Sequence, residues 1–214
     1  MSRKMLLSVA FGAAAALATP QVQAGTILWD FSLGTGGNLG TTTTQNSVPG
    51  GISVGLAGFA NNTGTTANLF RKQAGGGENG MGLTNDPTGD NEIQGTSFIQ
   101  IDTVNLTIPP LSSLSLSFSA NSTTGGEGWR VIGTNTAGVD TGTTLLSGTD
   151  EAVHFLDKTG FRYLDVSATG GTGANVLLHT LDATTPNGVP EPASLAILGA
   201  ALVGFGVIRR RRKA

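Results

Sequence analysis

The sequence predicts an all-β protein, an antiparallel β-sandwich of jelly-roll type, and three observations carry that prediction. The apolar period is two. Leu114, Leu116 and Phe118 alternate with Ser113, Ser115, Ser117 and Ser119, the pattern of a strand with one buried face. Turn clusters such as GTGGN, NNTG and AGGGENG recur between short apolar stretches. No stretch from Gly25 to Asn187 shows the spacing of an amphipathic helix, so the crossover helices of a parallel sheet are missing.

The elements follow in order. Arg3 and Lys4 precede the apolar run Met5–Ala18, and Val22-Gln23-Ala24 places small residues at −3 and −1. This predicts a signal-peptide helix over 1–24, cut by signal peptidase between Ala24 and Gly25. A sandwich domain is expected over 25–183. Its strands are read at Thr26–Leu33, Ile52–Leu56, Asn68–Gln73, Ile99–Ile108, Ser113–Ser119, Gly128–Gly133, Ala152–Leu156, Phe161–Ala168 and Asn175–Leu181. The apolar face switches near Thr103 in the fourth of these, as a one-residue bulge would cause. Pro109-Pro110 ends a strand, because neither residue donates to a ladder. The Thr41–Thr44 run and the 75–91 segment read as irregular surface loops. The proline- and glycine-bearing stretch at 184–188 reads as an extended linker.

Composition narrows the chemistry. There is no cysteine, which removes thiol catalysis, iron–sulfur clusters and cysteine-based zinc sites. The formal charge of −2 hides an uneven distribution. Between Lys4 and Arg209 stand five basic and fourteen acidic residues, a net −9. Such a body repels phosphate backbones, so nucleic acid is not an expected partner.

The C-terminal stretch 189–214 has three parts. Val189-Pro190-Glu191-Pro192 is held extended, since each proline fixes φ and restricts its predecessor. Residues 193–208 form an apolar run of about sixteen residues, roughly 24 Å as a helix against a hydrocarbon core near 30 Å. Arg209, Arg210, Arg211, Arg212 and Lys213 then supply a basic stop-transfer cluster, kept on the cytoplasmic side. As a hydrophobic helix the run is marginal for a permanent transmembrane anchor and adequate for a transient one.

This arrangement resembles the PEP-CTERM sorting signal in motif, order and distance from the C-terminus. The resemblance implies processing by exosortase, a membrane protease or transpeptidase, in a Gram-negative bacterium that makes exopolysaccharide. It also implies an exported protein that passes through an inner-membrane intermediate to the cell surface or extracellular matrix. The body segments GMGLTNDPTGDNEI (80–93) and RYLDVSATGGTGANVLLHTL (162–181) resemble stretches common in such exported proteins, whose bodies are β-sandwiches of no known activity.

Within the body, Asp86, Asp90, Asn91 and Glu92 are the densest group of oxygen ligands, in a glycine-rich loop suited to Ca²⁺. Their spacing matches neither an EF-hand nor a calcium-binding nonapeptide repeat, and a solvated acidic turn is the plainer reading. Trp129, flanked by Glu127 and Arg130, is the best sugar-stacking candidate, with a core tryptophan as the competing reading. His154 and His179 read as isolated imidazoles. No nucleophile elbow, zinc-protease motif, P-loop or dinucleotide fingerprint is present, and no catalytic residue is assigned. The expected function is non-enzymatic: a structural or adhesive role in an exopolysaccharide or biofilm layer. The alternatives are a carbohydrate-binding module with a specific glycan and, third, a polysaccharide-degrading enzyme.

Overall fold

Among the described residues, fifteen strands and one 3-10 turn make up the regular structure. The first half of the chain supplies β1 (Thr26–Asp30), β2 (Gly37–Gly40), β3 (Thr42–Asn46), β4 (Ser53–Phe59), β5 (Thr66–Ala67), β6 (Leu69–Gln73), β7 (Asn79–Leu83), β8 (Ile93–Gln94) and β9 (Phe98–Asp102). After the 3-10 turn Val104–Thr107 come β10 (Ser115–Asn121), β11 (Gly128–Thr134), β12 (Thr143–Gly148), β13 (His154–Leu156), β14 (Tyr163–Thr169) and β15 (Asn175–Thr184). The computed structural model describes residues 26–48, 51–61, 64–73, 78–84, 89–107, 115–123, 127–170 and 173–184. The expected signal peptide with its Ala24–Gly25 bond, Asp86, Pro109-Pro110, the tail motif, the 193–208 run and the basic cluster lie outside the described residues. Among the described residues no helix is long and apolar enough to cross a membrane.

The strands form two antiparallel sheets. The first runs β13-β10-β15-β7-β6-β2, with β1 and β8 also paired to β15. The second runs β12-β11-β14-β9-β4-β3, with β5 on β4. The chain crosses between the sheets from β2 to β3, β5 to β6, β8 to β9, β9 to β10, β10 to β11, β12 to β13, β13 to β14 and β14 to β15. That repeated crossing is the habit of a jelly-roll-like sandwich. Alternate residues turn into one shared interior. Leu164, Val166 and Ala168 of β14, Ile99 and Ile101 of β9, and Val54 and Leu56 of β4 meet Trp29, Trp129, Met81, Val176 and Leu178 there. Each such large side chain contributes about 1.5–3 kcal/mol by leaving water.

Strand β15 holds the first sheet together. Along one side it pairs with β10, and along the other it pairs in turn with β8 at Asn175–Val176, β7 at Leu178 and β1 from Thr180 to Thr184. The register with β10 slips where Ser119 faces Thr180 but Ala120 faces Leu178, leaving His179 as the extra residue. This bulge lets Val176 and Leu178 before it, and Leu181 and Ala183 after it, all reach the core.

All nine expected strands are present, and three expectations are corrected. The Thr41–Thr44 run belongs to β3, which pairs with β4 in register from Thr42–Ala57 to Asn46–Ser53. Its threonines favour a strand, yet as a sheet-edge element with two polar faces it carries no apolar period. The 75–91 segment contains β7, whose glycines conceal it. A Cβ at Gly82 would collide with Asn91 O and Glu92 Cα, so only glycine fits under that neighbouring chain. The bulged second half of the strand expected at 99–108 is instead the 3-10 turn. Asp102 Oδ1 accepts the Val104 N–H at 3.0 Å, and the Thr103 N–H and hydroxyl both donate to Arg162 O, which ends the ladder.

Candidate functional site

The second sheet turns an unusual amount of polar chemistry away from the core. Tyr163, Asp165 and Ser167 of β14 alternate with its core residues, as Phe98, Gln100 and Asp102 do on β9 and Gly55, Ala57 and Phe59 on β4. The connection between β11 and β12 folds back over this outer face. Gln100 Nε2 donates to Thr136 O at 3.3 Å, and the Gly138 N–H donates to Gln100 Oε1 at 3.1 Å. Gly138 has φ 74°, and a Cβ there would sit 3.2 Å from the Phe59 ring, so the connection lies close down on the sheet. Phe59 in turn stacks on Phe98, with ring centroids 4.8 Å apart.

Beside this connection the outer face opens into a groove of about 520 Å³. Gly55 and Ala57 leave its floor low, and Thr42, Thr44 and Tyr163 line it with hydroxyl-bearing side chains. Gln100 and Asp102 add an amide and a carboxylate. Arg162 holds Asp102 with two hydrogen bonds, Nε to Oδ1 at 3.2 Å and a terminal nitrogen to Oδ2 at 2.7 Å. The same guanidinium lies 4.8 Å from the Tyr163 ring centroid. Burial pushes the Asp102 carboxyl up, but the Arg162 bonds and charge and the Val104 N–H outweigh it, leaving the group below the usual carboxylate range.

Under the connection lies a buried polar cluster. Asp165 is fully buried, and its Oδ1 accepts from Gln100 Nε2 at 2.8 Å. Asp140 Oδ2 accepts from Arg130 at 2.6 Å, and Arg130 Nε donates to Ser167 Oγ at 2.8 Å. Burial first, then the nearby Asp140 charge, pushes the Asp165 carboxyl up to about 7 against the pull of the Gln100 bond.

The residues singled out in the sequence are dispersed by the fold. Trp129 is 0% exposed and belongs to the core, its Nε1 donating to Asp150 O at 2.7 Å, so it offers no ring to a glycan. Alternation sends Arg130 to the opposite face, into the buried cluster. Glu127 goes elsewhere. With its amide nitrogen turned toward the carboxylates, Asn175 donates to Glu127 Oε1 at 2.8 Å and Glu92 Oε2 at 3.1 Å. Glu92 is 3% exposed and binds Lys72 at 2.5 Å and Ser122 Oγ at 3.1 Å, so an ammonium stands where a Ca²⁺ in this loop would need ligands. Asp90 is exposed, and Asn91 Nδ2 donates to Gly89 O at 3.3 Å. Among the described residues no three His, Cys, Asp or Glu side chains gather for a metal. His154 packs on the Trp129 ring at 5.1 Å and meets Asp150 Oδ1 at 2.6 Å, while His179 marks the β15 bulge.

The residues missed in the sequence are Gln100 and Asp165. Gln100 and Asp165 stand at the polar positions of alternating strands, where a solvent-facing side chain is the ordinary expectation. Only the returning connection buries them.

The remaining candidate is the segment running through Val189-Pro190-Glu191-Pro192 and the apolar run to the basic cluster. Residues 188–213 match the PEP-CTERM protein-sorting motif. The chain carries a PEP-CTERM sorting signal. That signal implies an exported protein, with exosortase as its processing partner, that passes through the membrane to the cell surface. No curated protein matches the chain. The PEP-CTERM signal therefore speaks for the route the protein takes, and the sandwich must speak for its chemistry.

Proposed function

We propose that the protein works at the cell surface as a non-enzymatic, adhesive component of an exopolysaccharide layer, holding glycan chains in the groove of the second sheet. The groove is the observation that supports this reading. A glycan presents flat C–H faces ringed by hydroxyls, and it is held by an aromatic face combined with a few convergent polar groups. Tyr163 offers the aromatic face, Asp102 a carboxylate, and Thr42 and Thr44 further hydroxyls. An acidic body carrying few amines favours neutral polymers over polyanions.

The groove also argues against hydrolysis. Glycoside cleavage uses two facing carboxyl groups roughly 5–10 Å apart. Among the described lining residues Asp102 is the one carboxylate, and Arg162 already holds both its oxygens.

A co-sedimentation or glycan-array experiment with the purified protein tests this function. Binding of a neutral polysaccharide by the wild type, weakened at least about tenfold by Tyr163→Ala and by Asp102→Asn, is the expected result. Absence of binding by the wild type, or binding untouched by both changes, would overturn it.

A further inference from the structure

We propose that Asp140, on the connection between β11 and β12, and Asp165, on the strand β14 beneath it, form a calcium site that clamps this connection onto the second sheet. Both side chains are buried: Asp165 is 0% exposed and the Asp140 side chain likewise 0%. Each has one satisfied oxygen and one that is not. Asp165 Oδ1 takes the Gln100 amide and Asp140 Oδ2 takes Arg130, whereas Asp165 Oδ2 and Asp140 Oδ1 accept no hydrogen bond among the described residues. A buried carboxylate oxygen without a donor is among the costliest arrangements a folded chain can hold. Two of them in one cluster, close enough that the charge of Asp140 acts on Asp165, point to a shared occupant.

The charge balance agrees. Arg130 is the cation in contact with the cluster, and its bonds go to Asp140 Oδ2 and Ser167 Oγ. Two carboxylates against one guanidinium leave negative charge under the connection, which a divalent ion neutralises. The other oxygens of the network are hard ones too: Gln100 Oε1, Thr136 O and Ser167 Oγ each accept one hydrogen bond here, from the Gly138 N–H, Gln100 Nε2 and Arg130 Nε. Such a set suits calcium, which accepts carboxylates, amides and carbonyls in irregular geometry and is met at high concentration outside the cell. Magnesium, which demands a regular octahedron and keeps its waters, suits it less.

The consequence is a metal-set wall for the groove. Ala137, which lines the groove, comes from the clamped connection, and Gln100 touches both groove and cluster. The site itself does not depend on what the groove binds, so its test uses no glycan.

The test is calcium binding and thermal unfolding of the purified protein at about pH 8, where an Asp165 carboxyl freed of its proton is available to a metal. Isothermal titration with CaCl₂ should show one ion per chain. Millimolar CaCl₂ should raise the midpoint by about 5 °C or more over excess chelator, with MgCl₂ giving a smaller rise. Asp165→Asn and Asp140→Asn, both close to isosteric, should each abolish the binding heat and the rise. Asp90→Asn, in the loop at 89–92, should leave both intact. Three results would overturn the proposal: no heat and no shift in the wild type, a calcium response that survives Asp165→Asn, or one that is lost with Asp90→Asn. An Asp165→Asn protein in chelator as stable as the wild type, combined with no calcium heat in the wild type, would identify a proton as the occupant instead.

Discussion

Gln100 and Asp165 are cross-strand partners on β9 and β14, joined by a 2.8 Å hydrogen bond from Nε2 to Oδ1, and both are buried. The same carboxamide also donates to Thr136 O and accepts from the Gly138 N–H. One side chain thus ties two strands together and both to the connection above them. Gln100→Leu keeps the volume and removes every one of these bonds. It should lower unfolding free energy by about 2–4 kcal/mol, because the buried Asp165 carboxyl and Gly138 N–H, and the Thr136 carbonyl, lose their partner. Urea denaturation measures it, and a loss below about 0.5 kcal/mol would contradict the role assigned to Gln100.

Trp129→Phe tests the reading of Trp129 as core. It removes the bond to Asp150 O and part of a buried ring, and should cost about 1–3 kcal/mol by chemical denaturation. Glycan binding should be unchanged once the comparison is made well below the unfolding midpoint. A variant of wild-type stability with impaired binding would return Trp129 to the surface.

Gly82→Ala drives a methyl group into Asn91 O and the Glu92 Cα. The obstacle is backbone, which gives less readily than a side chain, so a loss of about 1–3 kcal/mol is expected. Gly89→Ala is not an equivalent control, since its φ of 80° strains any side chain; Ser53→Ala on the exposed side of β4 is. A neutral Gly82→Ala would mean that β7 does not lie under the 89–92 chain.

The Asp102–Arg162 pair sets a sign for acid sensitivity. Asp102 titrates below its ordinary 3.8 in the folded protein, Arg162 and the Val104 N–H outweighing burial. Its contribution is therefore present above about pH 4 and is lost as pH falls through the lower folded value. Asp102→Asn should flatten this acid limb, moving the acid-unfolding midpoint by a few tenths of a pH unit, a small effect because the pair is partly solvated. Circular dichroism against pH measures it, and a midpoint that the substitution leaves in place would remove the pair from the account.

Mass spectrometry of protein recovered from the cell surface tests the sorting signal. Processing by exosortase predicts a mature chain lacking Arg209–Ala214. Recovery of those residues on surface protein would show that the signal directs the chain without being removed.

The sandwich was legible wherever one strand face is apolar. Leu164-Asp165-Val166-Ser167 announces a strand at once, and so do Ile99 and Ile101 around Gln100. Strands that pack by other means were silent. β3 is a run of threonine with no apolar face, and β7 trades side chains for close backbone approach at Gly82. The site was hidden for a related reason. Period two says that Asp165 and Gln100 share a face, but it treats that face as open to water. Which face the connection between β11 and β12 will later cover is decided by long-range contacts such as Gly138 on Phe59, and no local pattern encodes them. Trp129 is the core tryptophan that the plainer reading of Glu127-Gly128-Trp129-Arg130 allows, its ring buried by strand alternation.

The pairing of β1 with β15 joins Thr26–Asp30 to Thr184–Thr180. In time, this means that the beginning of the sandwich waits for its end. A chain emerging N-terminus first, from a ribosome or a translocation pore, holds β1, β7, β8 and β10 without the strand that all four pair with. Pairings this distant in sequence make for slow folding and for long exposure of unpaired edges. The first sheet closes only after Asn175–Thr184 is free, and the sorting motif begins at residue 188. The strand that closes the first sheet precedes the sorting motif in the chain, so by the time the tail has emerged every strand of that sheet has emerged before it.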